Sequence, residues 1–139
     1  MLQELEWEWP EQIRHLICAP LSHAGAAVLT SVLLRGGMMK VLPGFDPVET
    51  MRAIEQYRIT SVLMVPTMVI AMMDHPRFQE FDLSSLDVVF YGASAFPAAR
   101  LRDAIERFGK IFFQFYGQAE APMSITVMRR AEHDVDNPQ

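Results

Sequence analysis

Within six consecutive positions, Phe115-Tyr116-Gly117-Gln118-Ala119-Glu120, the chain sets an aromatic face, a glycine and a carboxylate side by side. They follow the apolar run Ile111-Phe112-Phe113, which reads as a buried parallel strand, so the segment falls at that strand's carboxyl end. Open α/β sheets take ligands there, because the loops diverge and leave a crevice lined by backbone groups. Tyr116 offers a flat face to a base, Gly117 lets the backbone pass close to a ligand, and Glu120 can hold a hard cation. That combination suits a nucleotide accompanied by magnesium.

The elements that must position these residues follow from hydrophobic patterning. Short apolar runs at 15–19, 38–42, 61–65, 88–91 and 111–115 read as strands, with a further candidate at 124–128. Runs such as Val62-Leu63-Met64-Val65 are apolar throughout, as expected of a sheet buried on both faces. Between them lie helix signals. Residues 22–34 are apolar all round and stop at Arg35-Gly36-Gly37. Asp46-Pro47-Val48-Glu49 reads as an N-cap, a first-turn proline and a capping box. Thr67 is expected to cap a helix over 68–74 that Pro76 ends. Pro97 opens another, with Leu101, Ile105 and Phe108 on one face and Gly109 at its end. Strand–helix alternation at this spacing predicts an α/β fold: an open, mostly parallel sheet of about five strands with helices on both faces, a flavodoxin-like subdomain over residues 14–128. Residues 1–13, with Trp7 and Trp9, read as an incoming connection whose partner surface is missing, and 129–139 as a frayed polar tail.

Composition narrows the function. The 139 residues suffice for one packed domain; half are hydrophobic and 21% charged. No apolar run is long and charge-free enough to span a bilayer, and Glu4, Glu6 and Glu8 stand where a secretory leader would be basic. The expectation is a cytoplasmic protein with no membrane span. A net charge of −5 without a basic stripe argues against nucleic-acid binding. The single cysteine, Cys18, excludes an internal disulfide and a cysteine-rich metal site, and its apolar setting reads as an inert thiol. Ten methionines, among them Met64, Met68, Met72 and Met73, read as gap-filling core residues or as adaptable packing around an apolar ligand.

Several segments taken in order resemble the large N-terminal domain of adenylate-forming enzymes, the acyl-CoA synthetases and their relatives. Pro20-Leu21-Ser22-His23-Ala24-Gly25 resembles that family's P-L-x-H-x-x-G element. Phe45-Asp46-Pro47, Val65-Pro66-Thr67-Met68 and Asp82-Leu83-Ser84-Ser85-Leu86 follow in the family's order. Gly92-Ala93-Ser94-Ala95-Phe96-Pro97 resembles its adenine loop, and Gln114-Phe115-Tyr116-Gly117-Gln118-Ala119-Glu120 its Q-G-Y-G-x-T-E element. The resemblance covers residues 14 to 128.

It implies ATP-dependent activation of a carboxylic acid, fatty or aromatic, to an acyl-adenylate, then transfer to the thiol of coenzyme A. Tyr116 would stack on adenine, with Gly92, Ala93 and Ser94 as the opposite wall and Gln114 meeting the nucleotide through its amide. Gly117 belongs to the same element, and Glu120 would be the catalytic carboxylate and magnesium ligand. His23 and Thr67 would border the acyl and pantetheine space. Read from the residues alone, Gly92-Ala93-Ser94 is a plain strand-to-helix turn, while Gln114 is equally a solvent-facing strand residue and His23 equally a packing residue. Ala119 departs from the family's threonine and removes a phosphate-contacting hydroxyl. The family's phosphate loop should precede Pro20, and its ribose-gripping aspartate and lysine-bearing C-terminal domain should follow Met128. The chain therefore reads as a central piece of a larger enzyme, inactive alone and self-associating through open sheet edges. The alternative is a non-catalytic nucleotide-binding or interaction module of the same shape.

Overall fold

The computed structural model describes residues 5–22 and 24–134. His23 lies outside the described residues. Six strands form one sheet: β1 (Arg14–Ile17), β2 (Met38–Val41), β3 (Ser61–Met64), β4 (Val88–Tyr91), β5 (Phe112–Gln118) and β6 (Ala121–Met128), in the order β2-β1-β3-β4-β5-β6. The first five pair in parallel, and β6 pairs antiparallel to β5. The expected α/β architecture holds, and the further strand foreseen at 124–128 is present as the longer β6.

The connections are α1 (Leu29–Leu34), α2 (Pro47–Tyr57), α3 (Pro66–Met73) and α4 (Ala98–Phe108). Chain order explains which face each covers. From β1 to β2 the chain steps one way along the sheet; from β2 through β5 it steps the other way. Right-handed crossovers then put α1 on one face and α2, α3 and α4 on the other. The two apolar clusters follow that division. Leu16, Val62, Met64, Val89, Tyr91 and Phe112 pack under the three-helix face with Met51, Ile54, Val69, Met72 and Ala104. Leu63, Val88, Phe90, Phe113 and Phe115 point the opposite way, as strand alternation requires.

The second face holds a correction. Trp7, read as lacking its partner surface, is 5% exposed, its ring centroid 4.6 Å from Phe90, 5.6 Å from Phe113 and 5.2 Å from Phe115. The N-terminal segment supplies the cover that one short helix cannot.

Local signals account for the helices unequally. Asp46 caps α2 by accepting the Glu49 N–H at 2.9 Å, with Pro47 in the first turn. Over 22–34 the outcome differs from expectation, because only Leu29–Leu34 is helical and Ala24–Ala26 forms a 3₁₀ turn. Leu33 and Leu34, 58% and 72% exposed, lie on an uncovered side. Thr67 is not a cap: Val65 takes that place in extended geometry, Pro66 starts α3, and no side chain caps it. A proline disfavours the helical region for the residue before it, which moves the boundary ahead of Thr67. No helix among the described residues is long and apolar enough to cross a membrane.

Candidate functional site

At the end of β4 the chain turns over the end of β5. Gly92 is buried, and a Cβ there would sit 2.6 Å from both the Phe115 carbonyl oxygen and its ring. The position therefore requires glycine, and its absent side chain draws the bend against β5. Ala93 follows at φ 67°, left-handed backbone for a non-glycine residue, and Ala93 and Ser94 are both exposed. Phe96 closes the bend, edge-on to Tyr91 at 5.4 Å and to Phe112 at 6.2 Å, before α4 begins.

On β5, alternation sends Phe113 and Phe115 to the Trp7 face and Gln114 and Tyr116 to the other. Gln114 stands in register with Tyr91. Tyr116 is 48% exposed, and its hydroxyl accepts a 2.8 Å hydrogen bond from Gln118 Nε2. The strand does not end ahead of Tyr116, as the sequence suggests, but runs through Gln118, turns at Ala119 and Glu120, and returns as β6. A register shift between Tyr116 and Gln118 makes this possible. The extra residues lie on β6, where residues 122–125 span the step that Gly117 alone makes on β5, and a Cβ on Gly117 would lie 2.1 Å from the Met123 nitrogen and 2.7 Å from the Ala121 carbonyl. Tyr116, Gln114 and the Gly92 bend thus gather beside an antiparallel hairpin, whose tip carries Ala119 and Glu120 in solvent.

No cluster of three or more His, Cys, Asp or Glu side chains suited to a metal occurs among the described residues. A lone exposed Glu120 cannot make a resident cation site. It fits a magnesium ion carried in by phosphates, since magnesium commonly takes only one or two protein carboxylates and completes its shell with phosphate oxygens and water.

Of the residues expected on the substrate side, the described one, Thr67, lies elsewhere. Thr67 is exposed in the first turn of α3, at the carboxyl end of β3. Beside β1, the gap between Ile17, Cys18, Ala19, Gly25 and Leu63 is too small for a water molecule. Cys18 is buried there and its thiol is pushed up to about 11 by burial, so it is no nucleophile at neutral pH. A separate cleft of about 330 Å³, lined by Phe78, Phe81, Leu86, Arg107 and Phe108, opens among residues that precede β4 and β5, at the amino edge of the sheet.

Sequence reasoning missed one contact beside the site. The tail from Arg129, expected to fray, packs through residue 134. Arg130 bonds Glu8 at 3.3 Å and Asp87 at 3.2 Å, and His133 is 5% exposed. His133 Nδ1 lies 2.8 Å from the Arg129 carbonyl, which can only accept, so Nδ1 carries the proton. Its Nε2 is then an acceptor for the Tyr91 hydroxyl at 3.0 Å. Burial pushes the Tyr91 phenol up to about 12 and lowers the His133 imidazole, keeping both groups neutral. No pattern marks this pair, which is 42 residues apart in a polar stretch.

Comparison with known proteins bears on this geometry. A family model described as "AMP-binding enzyme" matches residues 2–139. The chain is 54% identical over 133 residues to the medium/long-chain-fatty-acid–CoA ligase FadD8 of Mycobacterium tuberculosis, covering 96% of this chain and 23% of that protein. It is 41% identical over 120 residues to a feruloyl-CoA synthase from an Amycolatopsis species, covering 85% of this chain and 24% of the synthase. Among solved structures it is similar to the amide bond synthetase McbA from Marinactinospora thermotolerans, with a TM-score of 0.86 and 32% identity over 95% of this chain and 27% of that one. The chain spans about a quarter of the length of the curated relatives it matches.

Proposed function

This chain belongs to the AMP-binding enzyme family, and from that premise we propose that it is the nucleotide-holding part of an ATP-dependent acid–thiol ligase. In the intact protein a substrate carboxylate oxygen attacks the α-phosphorus of ATP, and pyrophosphate leaves. The thiol of coenzyme A then attacks the acyl carbon of the adenylate, forming the thioester and releasing AMP. The observation that carries this reading is the exposed Tyr116 ring, on the same face of β5 as Gln114 and beside the small-residue bend at Gly92.

Each described residue has a role that its setting supports. Tyr116 stacks on adenine, a contact of about 1–3 kcal/mol in comparable base–aromatic pairs. Gly92, Ala93 and Ser94 form the opposing wall, and Gln114 bonds the base or ribose edge. Gly117 keeps the hairpin close enough to bring Ala119 and Glu120 toward the phosphates. Magnesium bound there would spread the negative charge that develops on the leaving pyrophosphate. Glu120 would hold that ion, and Thr67 and His23 would border the acid and the thiol. The relatives are named for fatty and aromatic acids, so the acid is a medium or long fatty acid or an aromatic one.

Residues 14–128 form the subdomain that bears these groups, and the isolated chain is inactive because it supplies one wall of the site. The intact enzyme works in the cytoplasm. Among the described residues no strand pairs with the outer edges of β2 and β6, which favours self-association there. The test is acid-dependent exchange of pyrophosphate into ATP by the intact protein, run against saturated fatty acids and hydroxycinnamic acids. Acid-dependent exchange that Tyr116→Ala weakens through the KM for ATP supports the proposal. Exchange with no acid in the panel, or full-rate exchange by the isolated chain, contradicts it.

A further inference from the structure

Tyr91 is joined to three parts of the candidate site at once. Its backbone precedes Gly92, its ring carries Phe96 at the other end of the bend, and its Cα stands opposite Gln114. Its buried hydroxyl is 3.0 Å from Nε2 of His133, its hydrogen-bond partner among the described residues. His133 comes from the turn after β6, and that turn is itself fixed. Arg129 N–H donates to Glu132 at 2.6 Å, and Arg129 pairs with Glu6 at 2.9 Å. Arg130 is held by Glu8 and Asp87. The Arg129 carbonyl accepts a hydrogen bond from Nδ1–H, which leaves Nε2 with a lone pair aimed at the phenol.

We propose that His133 is a positioning residue for nucleotide binding: by accepting a hydrogen bond from the Tyr91 hydroxyl it fixes the ring at the base of the Gly92–Phe96 bend, opposite Gln114. The inference rests on the nucleotide site proposed above and extends it to a residue outside that site. Without Nε2 the buried hydroxyl loses its acceptor and must turn or draw in water, and either change moves the ring under the bend. The effect belongs to the adenine wall. Tyr91 stands in register with Met64 at the end of β3, but its hydroxyl turns to His133, so the loss falls on the adenine wall rather than on the acyl side.

The experiment uses the intact protein and compares wild type with His133→Ala, His133→Gln, Tyr91→Phe, the double variant His133→Ala/Tyr91→Phe, and Tyr116→Ala. Loss of one buried hydrogen bond predicts a KM for ATP raised about three- to tenfold in His133→Ala and in Tyr91→Phe, with kcat and the KM for the acid changed by less than about twofold. The double variant is no worse than the weaker single, because both remove one bond. His133→Gln, whose amide reaches the Nε2 position, recovers most of the ATP affinity. A KM for ATP within about twofold of wild type in both single variants, or additive losses in the double, overturns the inference. If His133→Ala does not fold, Tyr91→Phe, which keeps the ring, and His133→Gln decide the matter by the same readings. Should Tyr116→Ala raise the KM while these variants do not, His133 alone is misassigned. Should Tyr116→Ala leave it unchanged as well, the nucleotide lies elsewhere and both readings fall.

Discussion

The carboxyl edge of the sheet has two places where a ligand could enter, and they are built in opposite ways. Between β1 and β3 the strand order reverses, which is where sheets of this type open a crevice. Here that point is filled. Gly25 backs onto the chain so closely that a Cβ would lie 2.4 Å from the Ala19 carbonyl and 2.8 Å from that of Pro20. Between β4 and β5 the strand order does not reverse, yet the edge is open, with Ala93, Ser94 and Tyr116 all exposed. The difference comes from β6. A sixth parallel strand would need a crossover helix over β5, whereas a hairpin needs a tight turn and leaves the Gln114–Tyr116 face uncovered. Strand order identifies the edge; the connection after the last parallel strand decides which part of it admits a nucleotide.

The sharpest way to break this contrast is Gly92→Val. Its branched side chain cannot avoid the Phe115 carbonyl, so the bend lifts from β5, and ATP binding by the intact protein should fall by about a hundredfold or more with a lowered Tm. Near-normal ATP binding would mean that the bend is no part of the site. Tyr116→Ala separates binding from stability. Losing the stacking face should weaken ATP by roughly tenfold to a hundredfold while Tm moves little, because the ring is half exposed. Gly25→Ala is the counterpart at the filled end. Overpacking there should cost about 1–3 kcal/mol by urea denaturation and leave the KM for ATP unchanged. A selective loss of ATP binding would reverse the assignment of the two ends.

Acid should weaken the pairing of β1 with β3 from its amino end. His15 is buried against Ser61 at 2.9 Å, and burial lowers its imidazole from 6.5 to about 3. The unfolded chain takes up that proton near 6.5 and the folded chain only near 3, so the contribution is complete above the higher value and declines as pH falls toward the lower. Urea midpoints between pH 7.5 and 4.5 should therefore drop less in His15→Asn than in wild type, and parallel slopes would count against the assignment. The smallest effect expected is from Ala119→Thr, which restores a hydroxyl at the hairpin tip. A gain in adenylation of about two- to tenfold is expected if Gln118 or a backbone N–H already serves the phosphate, and a gain of several hundredfold would exclude that compensation.

Much of this was legible in the residues, where local chemistry agrees with the tertiary demand. The continuous apolar strands, the Asp46-Pro47 start of α2 and the Gly109 end of α4 all appear as read. Reading failed where a contact distant in sequence overrides a local pattern. The apolar stretch before Leu34 is helical in its last turns alone, because Gly25 is pressed against the end of β1. Tyr116 and Gly117 continue β5, because β6, which pairs with Tyr116 and Gln118, lies further along the chain. Trp7 and His133 look like surface residues in polar flanks, yet each is buried by residues more than forty positions away in sequence.

Photoaffinity labelling of the intact protein with 8-azido-ATP, followed by peptide mapping, tests the central claim most directly. The adenine ring should mark peptides containing residues 92–96 or 114–118, and Tyr116→Ala should abolish the mark. Labelling confined to the ends of β1 and β3, around residues 17–25 or 65–67, would contradict the account.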